Sequence, residues 1–348
     1  MTMQAVLKTH RGHGNTELVE IPVPEPGPRQ IKAEISFCGI CATDRKIVSD
    51  DHAYYRPPMV LGHEFSAVVA EVGEQVTRVQ PGDEIVVAPL DSRVTLHQRH
   101  GWDRPDGRRR GFETAWGIAT YGGMTRFGVY EEDAVLRLPP GVDLQSAAMT
   151  EPLAVCTRGI LSHGEIRATD LVVVSGPGPI GLLAAQIAKA EGGYVVVCGV
   201  DGDEAKLEVA REIGVDAVYN VEREDPLPHL LDLTAGGGAD VLIECSGHGS
   251  SVNRLFDYGR RGAQFIQLGT SMHRYEIDFM QIAYKELKVV GSFGYHHRDW
   301  ERSLQLMSTG KVDPRPLISH TMPVSEWRQA FDTLQDRQGI KILLYPDR

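Results

Sequence analysis

Leu171-Val172-Val173-Val174-Ser175-Gly176-Pro177-Gly178-Pro179-Ile180-Gly181 is the stretch that decides the fold. Its first five residues form an apolar, β-branched run of strand length, the pattern of a strand buried on both faces. The next six read G-x-G-x-x-G, and Ile180–Glu191 then has the composition of a helix carrying Ala and Leu on several faces. In a strand–turn–helix context each glycine has a separate task. Gly176 permits the tight turn, Gly178 lets the backbone approach a pyrophosphate, and Gly181 lets helix and strand pack closely. Pro179 and Ile180 open the helix, whose first N–H groups and partial positive charge favour phosphate. A tight turn with no ligand, or the glycine loop of a methyltransferase, is the alternative reading. The element order favours a dinucleotide.

Working outward, Tyr194–Cys198, Ala217–Asn220, Asp240–Glu244, Ala263–Leu268 and Leu287–Val290 read as further strands, alternating with helical segments such as Glu204–Ile213. That alternation predicts an α/β domain with a parallel, doubly wound sheet. Upstream of residue 152 the pattern differs. Ile31–Phe37, Ser66–Val72 and Glu84–Ala88 are short β-like segments, Gln80-Pro81-Gly82-Asp83 is a turn, and Pro22, Pro24, Pro26 and Pro28 punctuate an extended connector. Many short strands with turn signals predict an irregular, antiparallel, barrel-like β domain. Helices near Asp299–Met307 and Val324–Gln335 and a closing strand Ile340–Tyr345 complete the chain. A chain of 348 residues exceeds one ordinary core, so two domains are expected. We place a catalytic domain over 1–152 and 293–348 and a nucleotide domain over 153–292.

Composition narrows the function classes. Lys plus Arg is 36 against 47 Asp plus Glu, a formal net charge of −11, which repels phosphate backbones and argues against nucleic acid as a partner. Of five cysteines only Cys38 and Cys41 are close in sequence. That is no secreted disulfide framework and suits a reducing cytosol. The N-terminus lacks the apolar core of a signal peptide, and no apolar run reaches the roughly 18 residues of a membrane span. The expectation is a cytoplasmic protein.

An acid should follow the second strand of a dinucleotide fold to bind ribose hydroxyls, and Asp201 stands at about that spacing. Gly202, Asp203 and Glu204 come next, so a 2′-phosphate would meet negative charge and NAD is favoured over NADP. A solvated turn residue is the plainer reading of Asp201. A second constellation combines Cys38-Gly39-Ile40-Cys41-Ala42-Thr43-Asp44, Gly62-His63-Glu64 and Thr150-Glu151-Pro152-Leu153. Thiolate, imidazole and carboxylate together suit Zn²⁺ with an open position. The two cysteines alone could equally be a redox pair or buried thiols.

Taken together, these segments resemble the zinc-dependent medium-chain alcohol and polyol dehydrogenases, from Met1 to Tyr345. The resemblance rests on Gly39–Asp44, Gly62-His63-Glu64-Phe65, Val79–Asp83, Glu151-Pro152-Leu153 and Gly176–Gly181. Glu151-Pro152-Leu153 is similar to the mark of the sorbitol, threonine and glucose dehydrogenase subgroup. The resemblance implies a GroES-like β-barrel catalytic domain and a Rossmann cofactor domain. It implies Cys41, His63, Glu64 and Glu151 as metal residues, the two glutamates binding directly, through water or in alternation, with Cys38 a bystander. Thr43 would receive the substrate proton and Asp44 would orient His63. Lys341 would meet the cofactor pyrophosphate, and Ser292-Phe293-Gly294 would meet the nicotinamide amide. The implied reaction is hydride transfer between NAD and a secondary alcohol of a polyol, sugar, cyclitol or hydroxy amino acid. The implied assembly is a homodimer or homotetramer, often joined through the last strand of the cofactor sheet.

Departures also carry predictions. Where the family often holds a structural zinc, Asp91–Gly123 contains no cysteine, so one zinc per chain is expected. Lys46 stands where a relay histidine is common. Arg99, Arg104, Arg108, Arg109 and Arg110 make either a solvated, oligomer-facing loop or a patch for an anionic substrate. His296-His297 leads the candidate substrate contacts. The rival functions are a zinc-free quinone or enoyl reductase of the same superfamily and a non-catalytic nucleotide-binding protein. Cys41, His63 and Glu151 speak against the first, and Thr43 against the second.

Overall fold

The computed structural model describes residues 1–52, 55–88, 121–271 and 273–347, so the arginine-rich stretch 99–110 lies outside the described residues. Among the described residues eight strands precede residue 138: β1 (Thr2–Lys8), β2 (Thr16–Pro22), β3 (Gln30–Gly39), β4 (Met59–Val60), β5 (Glu64–Val72), β6 (Glu84–Val87), β7 (Phe127–Glu131) and β8 (Val135–Arg137). Six follow: β9 (Leu171–Ser175), β10 (Tyr194–Gly199), β11 (Ala217–Asn220), β12 (Ala239–Glu244), β13 (Gly259–Gln267) and β14 (Lys288–Gly291). The last two are β15 (Ile318–Pro323) and β16 (Lys341–Tyr345). The chain divides into two compact units. One comprises 1–151, 296–308 and 318–348, and the other 152–295 and 309–317.

In the first unit, β3 is the organising strand. Its ten residues pair with β5 along one edge, and with β7 and then β16 along the other. Sheet order runs β15-β16-β3-β5-β6-β8, antiparallel throughout except for β15 on β16. A smaller sheet β2-β1-β4 completes the unit. Alternation explains the layering: Ile31, Ala33 and Ile35 face inward from β3, joining Val6, Phe65, Ile85, Tyr130, Trp327 and Phe331 in one core. The β1–β2 hairpin was not anticipated. Its first strand ends on Lys8, a charge that disguises the pattern yet is fully buried, donating to the carbonyls of Gly12 (2.6 Å) and Val48 (3.2 Å). The helix Ala42–Val48 was also missed, because seven residues are too few to display a helical period.

The second unit is a six-stranded parallel sheet in the order β11-β10-β9-β12-β13-β14. β9 reads Leu-Val-Val-Val-Ser and is buried from Leu171 to Val174 because helices cover both faces of such a sheet. The order reverses beside β9. A ligand crevice is expected there, outside the carboxyl ends of the strands.

Candidate metal centre and nucleotide site

The first unit gathers its metal-binding side chains at the ends of β3 and β5. Cys41 caps the helix Ala42–Val48 just beyond β3, with extended backbone. His63 and Glu64 stand where β5 begins, preceded by Gly62 at φ +92°. A Cβ on Gly62 would lie 2.4 Å from Cys38 Sγ and 3.1 Å from Met124 N, so both conformation and space demand glycine. Cys38 therefore acts as packing under that turn. It is wholly buried, and burial pushes its thiol well above the usual range.

Ligand atoms of Cys41, His63 and Glu64 all fall within 4.8 Å of one another. Glu151, the second residue of helix Thr150–Thr157, is buried nearby but outside that convergent group. Thr43 is half-buried in the first turn after Cys41. Asp44 holds the arrangement together. It is fully buried, and its carboxylate accepts from Cys41 N at 2.9 Å and Gly62 N at 3.3 Å. One of its oxygens lies 3.4 Å from His63 Nδ1, close enough for charge pairing though not aligned as a hydrogen bond. That leaves Nε2 for a metal.

The electrostatics favour a cation. Burial alone would keep the His63 imidazole neutral, yet the Asp44 carboxylate and the Cys41 sulfur hold its pKa well above the ordinary value. A pocket that stabilises positive charge on a histidine, with thiolate, imidazole and carboxylate converging, fits Zn²⁺.

Lys341 opens β16 and is buried. Its Nζ is turned to Glu64 Oε2 at 2.5 Å and to the Ile40 carbonyl at 3.2 Å, and both charged side chains are almost completely buried. Burial works against the ammonium, but the charges of Glu64, Cys41 and Glu151 together outweigh it and raise the lysine pKa. Gly39 makes room for this pair, since a Cβ there would lie 2.5 Å from Glu64 Oε2. His296 precedes the helix His297–Ser308, which His297 opens, and His296 N donates to Asp299 at 2.7 Å.

In the second unit, Gly176 follows β9 at φ +96°, where a Cβ would lie 2.9 Å from Ser246 N. A Cβ on Gly181 would lie 1.9 Å from the Gly176 carbonyl. Gly178 caps the helix Pro179–Ala190 and would meet nothing within 4 Å. The glycines thus divide as the motif requires: two close the turn and one leaves its surface open to a ligand. Pro179 and Ile180 are the helix's first residues. A pyrophosphate fits this open backbone at a helix start.

Asp201 lies two residues beyond β10. Its Oδ1 accepts from Asn220 Nδ2 at 2.6 Å and pairs with Arg223 Nε at 2.7 Å. The Asn220 amide and the Arg223 guanidinium hold its carboxyl below the usual range, against a smaller opposing effect of burial. Ser292, Phe293 and Gly294 follow β14, with Ser292 N donating to the Gln267 carbonyl at 3.1 Å and Gly294 at φ +71°.

Sequence reasoning overlooked Glu244. It ends β12 fully buried and accepts from Ser246 N (2.8 Å), Gly247 N (3.0 Å) and Gln267 Nε2 (2.7 Å). It thereby pins the Ser246–Gly247 turn against Gly176. The available signal was a carboxylate directly after the apolar run Val241-Leu242-Ile243, which is rare in a buried strand unless the charge is needed.

Comparison with known proteins agrees with both units. Residues 27–140 match the model of the alcohol dehydrogenase GroES-like domain, and residues 179–309 match that of the zinc-binding dehydrogenases. A sorbitol dehydrogenase of Halalkalibacterium halodurans is 36% identical over 347 residues, covering 99% of each chain. A Sinorhizobium meliloti 1021 protein placed among zinc-binding dehydrogenases, with NADP bound, superposes with a TM-score of 0.85 at 28% identity, over 99% of this chain and 100% of that one. The alcohol dehydrogenase rspB of Escherichia coli CFT073, with NADH bound, gives 0.82 at 25% identity over 99% of each chain. The chain belongs to the zinc-binding dehydrogenase family, as a zinc-dependent alcohol and polyol dehydrogenase built from a GroES-like domain and a Rossmann sheet.

Proposed function

We propose that this dehydrogenase oxidises a secondary alcohol of a polyol or related sugar alcohol, with one zinc per chain and NAD as the preferred hydride acceptor. The observation that carries the reading is the convergence of Cys41, His63 and Glu64 within 4.8 Å, with the buried Asp44 carboxylate against His63. A bound Zn²⁺ would supply Lewis acidity, lowering the pKa of an alcohol at its open position, while a nicotinamide supplies the two-electron acceptor.

The chain's own residues do the rest. Cys41, His63 and Glu64 hold the ion, and buried Glu151 is a reserve carboxylate. Asp44 fixes the imidazole through charge pairing and ties the backbones of Cys41 and Gly62 together. Thr43 is the hydroxyl that takes the alcohol proton. Gly176, Gly178 and Gly181 with Pro179 and Ile180 seat the pyrophosphate, Asp201 takes the ribose hydroxyls, and Ser292-Phe293-Gly294 face the carboxamide. Lys341 reaches Glu64 and supports its charge, and the resemblance also gives it to the cofactor pyrophosphate. The carboxylates near the ribose place favour NAD. Polyol chemistry is supported by likeness to a sorbitol dehydrogenase. A homodimer or homotetramer is the expected assembly.

The test pairs metal analysis with turnover. Wild-type protein should carry about one zinc per chain and reduce NAD⁺ with at least one member of a polyol, aldose and cyclitol panel. Cys41→Ser should lose zinc and turnover while still binding NAD⁺ by calorimetry. A Cys41→Ser protein with full turnover would overturn the metal mechanism.

A further inference from the structure

The end of β11 brings a basic residue to the ribose position that local sequence does not reveal. β10 and β11 are adjacent and parallel, with Gly199 opposite Asn220, so the residues after each strand emerge side by side. Asp201 follows the first strand, and Arg223 follows the second. Arg223 Nε lies 2.7 Å from Asp201 Oδ1, and its Nη2 lies 2.8 Å from Glu204 Oε1. One guanidinium therefore bridges the acid expected to select NAD and a second acid just beyond it. The remaining charges nearby are engaged as well: Glu222 accepts from Asp201 N at 2.8 Å, and Lys206 pairs with Asp203 at 2.7 Å.

An aspartate at this place normally excludes NADP because its charge meets the 2′-phosphate. Here that charge is already compensated. The bridging side chains are more than half exposed, so their ion pairs are weak and readily exchanged. A guanidinium offers a planar fork that matches phosphate oxygens two at a time, which a lysine ammonium does not. Glu204 and Glu222 keep the region acidic enough to leave NAD the better ligand.

We infer that Arg223 sets the cofactor choice: its guanidinium exchanges Glu204 for an adenosine 2′-phosphate while Nε stays on Asp201, so that the ribose site accepts NADP as well as NAD. With NAD bound, the same side chain braces Asp201 for the ribose diol. The inference rests on the glycine turn being the dinucleotide site.

The test is calorimetric titration of the full chain with NAD⁺, NADP⁺, 5′-AMP and adenosine 2′,5′-bisphosphate, for wild type and Arg223→Gln. Wild type should bind NADP⁺ within about tenfold of NAD⁺, and Arg223→Gln should weaken NADP⁺ and the bisphosphate about tenfold or more. Losses for NAD⁺ and 5′-AMP should stay within about threefold, since only a brace is removed. Equal losses for all four ligands, or none, would overturn the inference. So would a wild type that binds NAD⁺ but not NADP⁺, an outcome that leaves the nucleotide site standing. Failure to bind any of the four would remove that site and the inference together.

Discussion

Among single residues, Lys341 and Glu64 carry the sharpest energetic consequence. Each is nearly excluded from solvent, and the two meet in an ion pair at 2.5 Å. Replacing two such charges with matched apolar groups is often harmless, whereas deleting one strands the other. Lys341→Met should therefore cost about 3–5 kcal/mol of stability, and adding Glu64→Gln should restore most of it. Denaturant unfolding of the metal-stripped proteins reads this without interference from zinc binding. Near-equal losses in the single and double variants would show that the pair is not what sustains either residue. The pairing could not be read from sequence, because 277 positions separate the two and only the antiparallel alignment of β16 on β3 and β3 on β5 joins them. Glu64 itself was legible as a candidate ligand, since it adjoins His63 and needs no tertiary information.

At the scale of elements, the glycine turn and the segments that brace it show how far local pattern reaches. β9 and the G-x-G-x-x-G turn were readable because a short apolar run, three glycines and a helix follow one another without interruption. The parallel sheet followed from strand–helix alternation. What escaped was every feature made by neighbouring strand ends: Arg223 beside Asp201, and the Ser246–Gly247 turn beside Gly176. The latter turn depends on Glu244. A buried carboxylate accepting three backbone or side-chain N–H groups is costly to replace by an isostere that brings donors of its own. Glu244→Gln should weaken NAD⁺ binding about tenfold, by loosening the wall against which Gly176 closes, while zinc content stays unchanged. Glu244→Asp, which keeps the charge, should recover part of the loss. If NAD⁺ affinity stays at the wild-type level in Glu244→Gln, the turn is held by other contacts.

Gly62 makes the corresponding case in the other unit. Its positive φ and its contact with Cys38 leave no place for a methyl group. Gly62→Ala pays the left-handed penalty of about 1–2 kcal/mol as well as the clash. Because the strain falls on the residue before His63, zinc affinity should drop together with stability. Competition with a chromophoric chelator measures that drop, and an unchanged affinity would mean that the turn does not position the imidazole.

For the molecule as a whole, the open edges of its sheets bear on the proposed assembly. The six-stranded sheet ends on β14, whose outer edge has no strand partner among the described residues. Edge strands of soluble proteins are normally shortened, charged or covered, because unpaired N–H and C=O groups invite a second strand. This one is not well protected. Val289 is 48% exposed, and Phe279, Met280 and Tyr284 just before it are 68%, 49% and 68% exposed. An apolar group of that kind beside a free edge suits a two-fold contact between copies, in which β14 meets its equivalent and the aromatic side chains cover one another. No helix among the described residues is long and apolar enough to cross a membrane, so a bilayer-spanning helix does not explain the exposure. Light scattering on a sizing column should give a mass of two or four chains for the wild type. Val289→Lys with Phe279→Glu places charge on the strand and on the flanking helix start, and should shift the population towards single chains. Zinc content should survive that change, because Cys41, His63 and Glu64 lie in the other unit. An unaltered mass in the double variant would place the contact elsewhere, and a wild type that runs as a single chain would dispose of the assembly altogether.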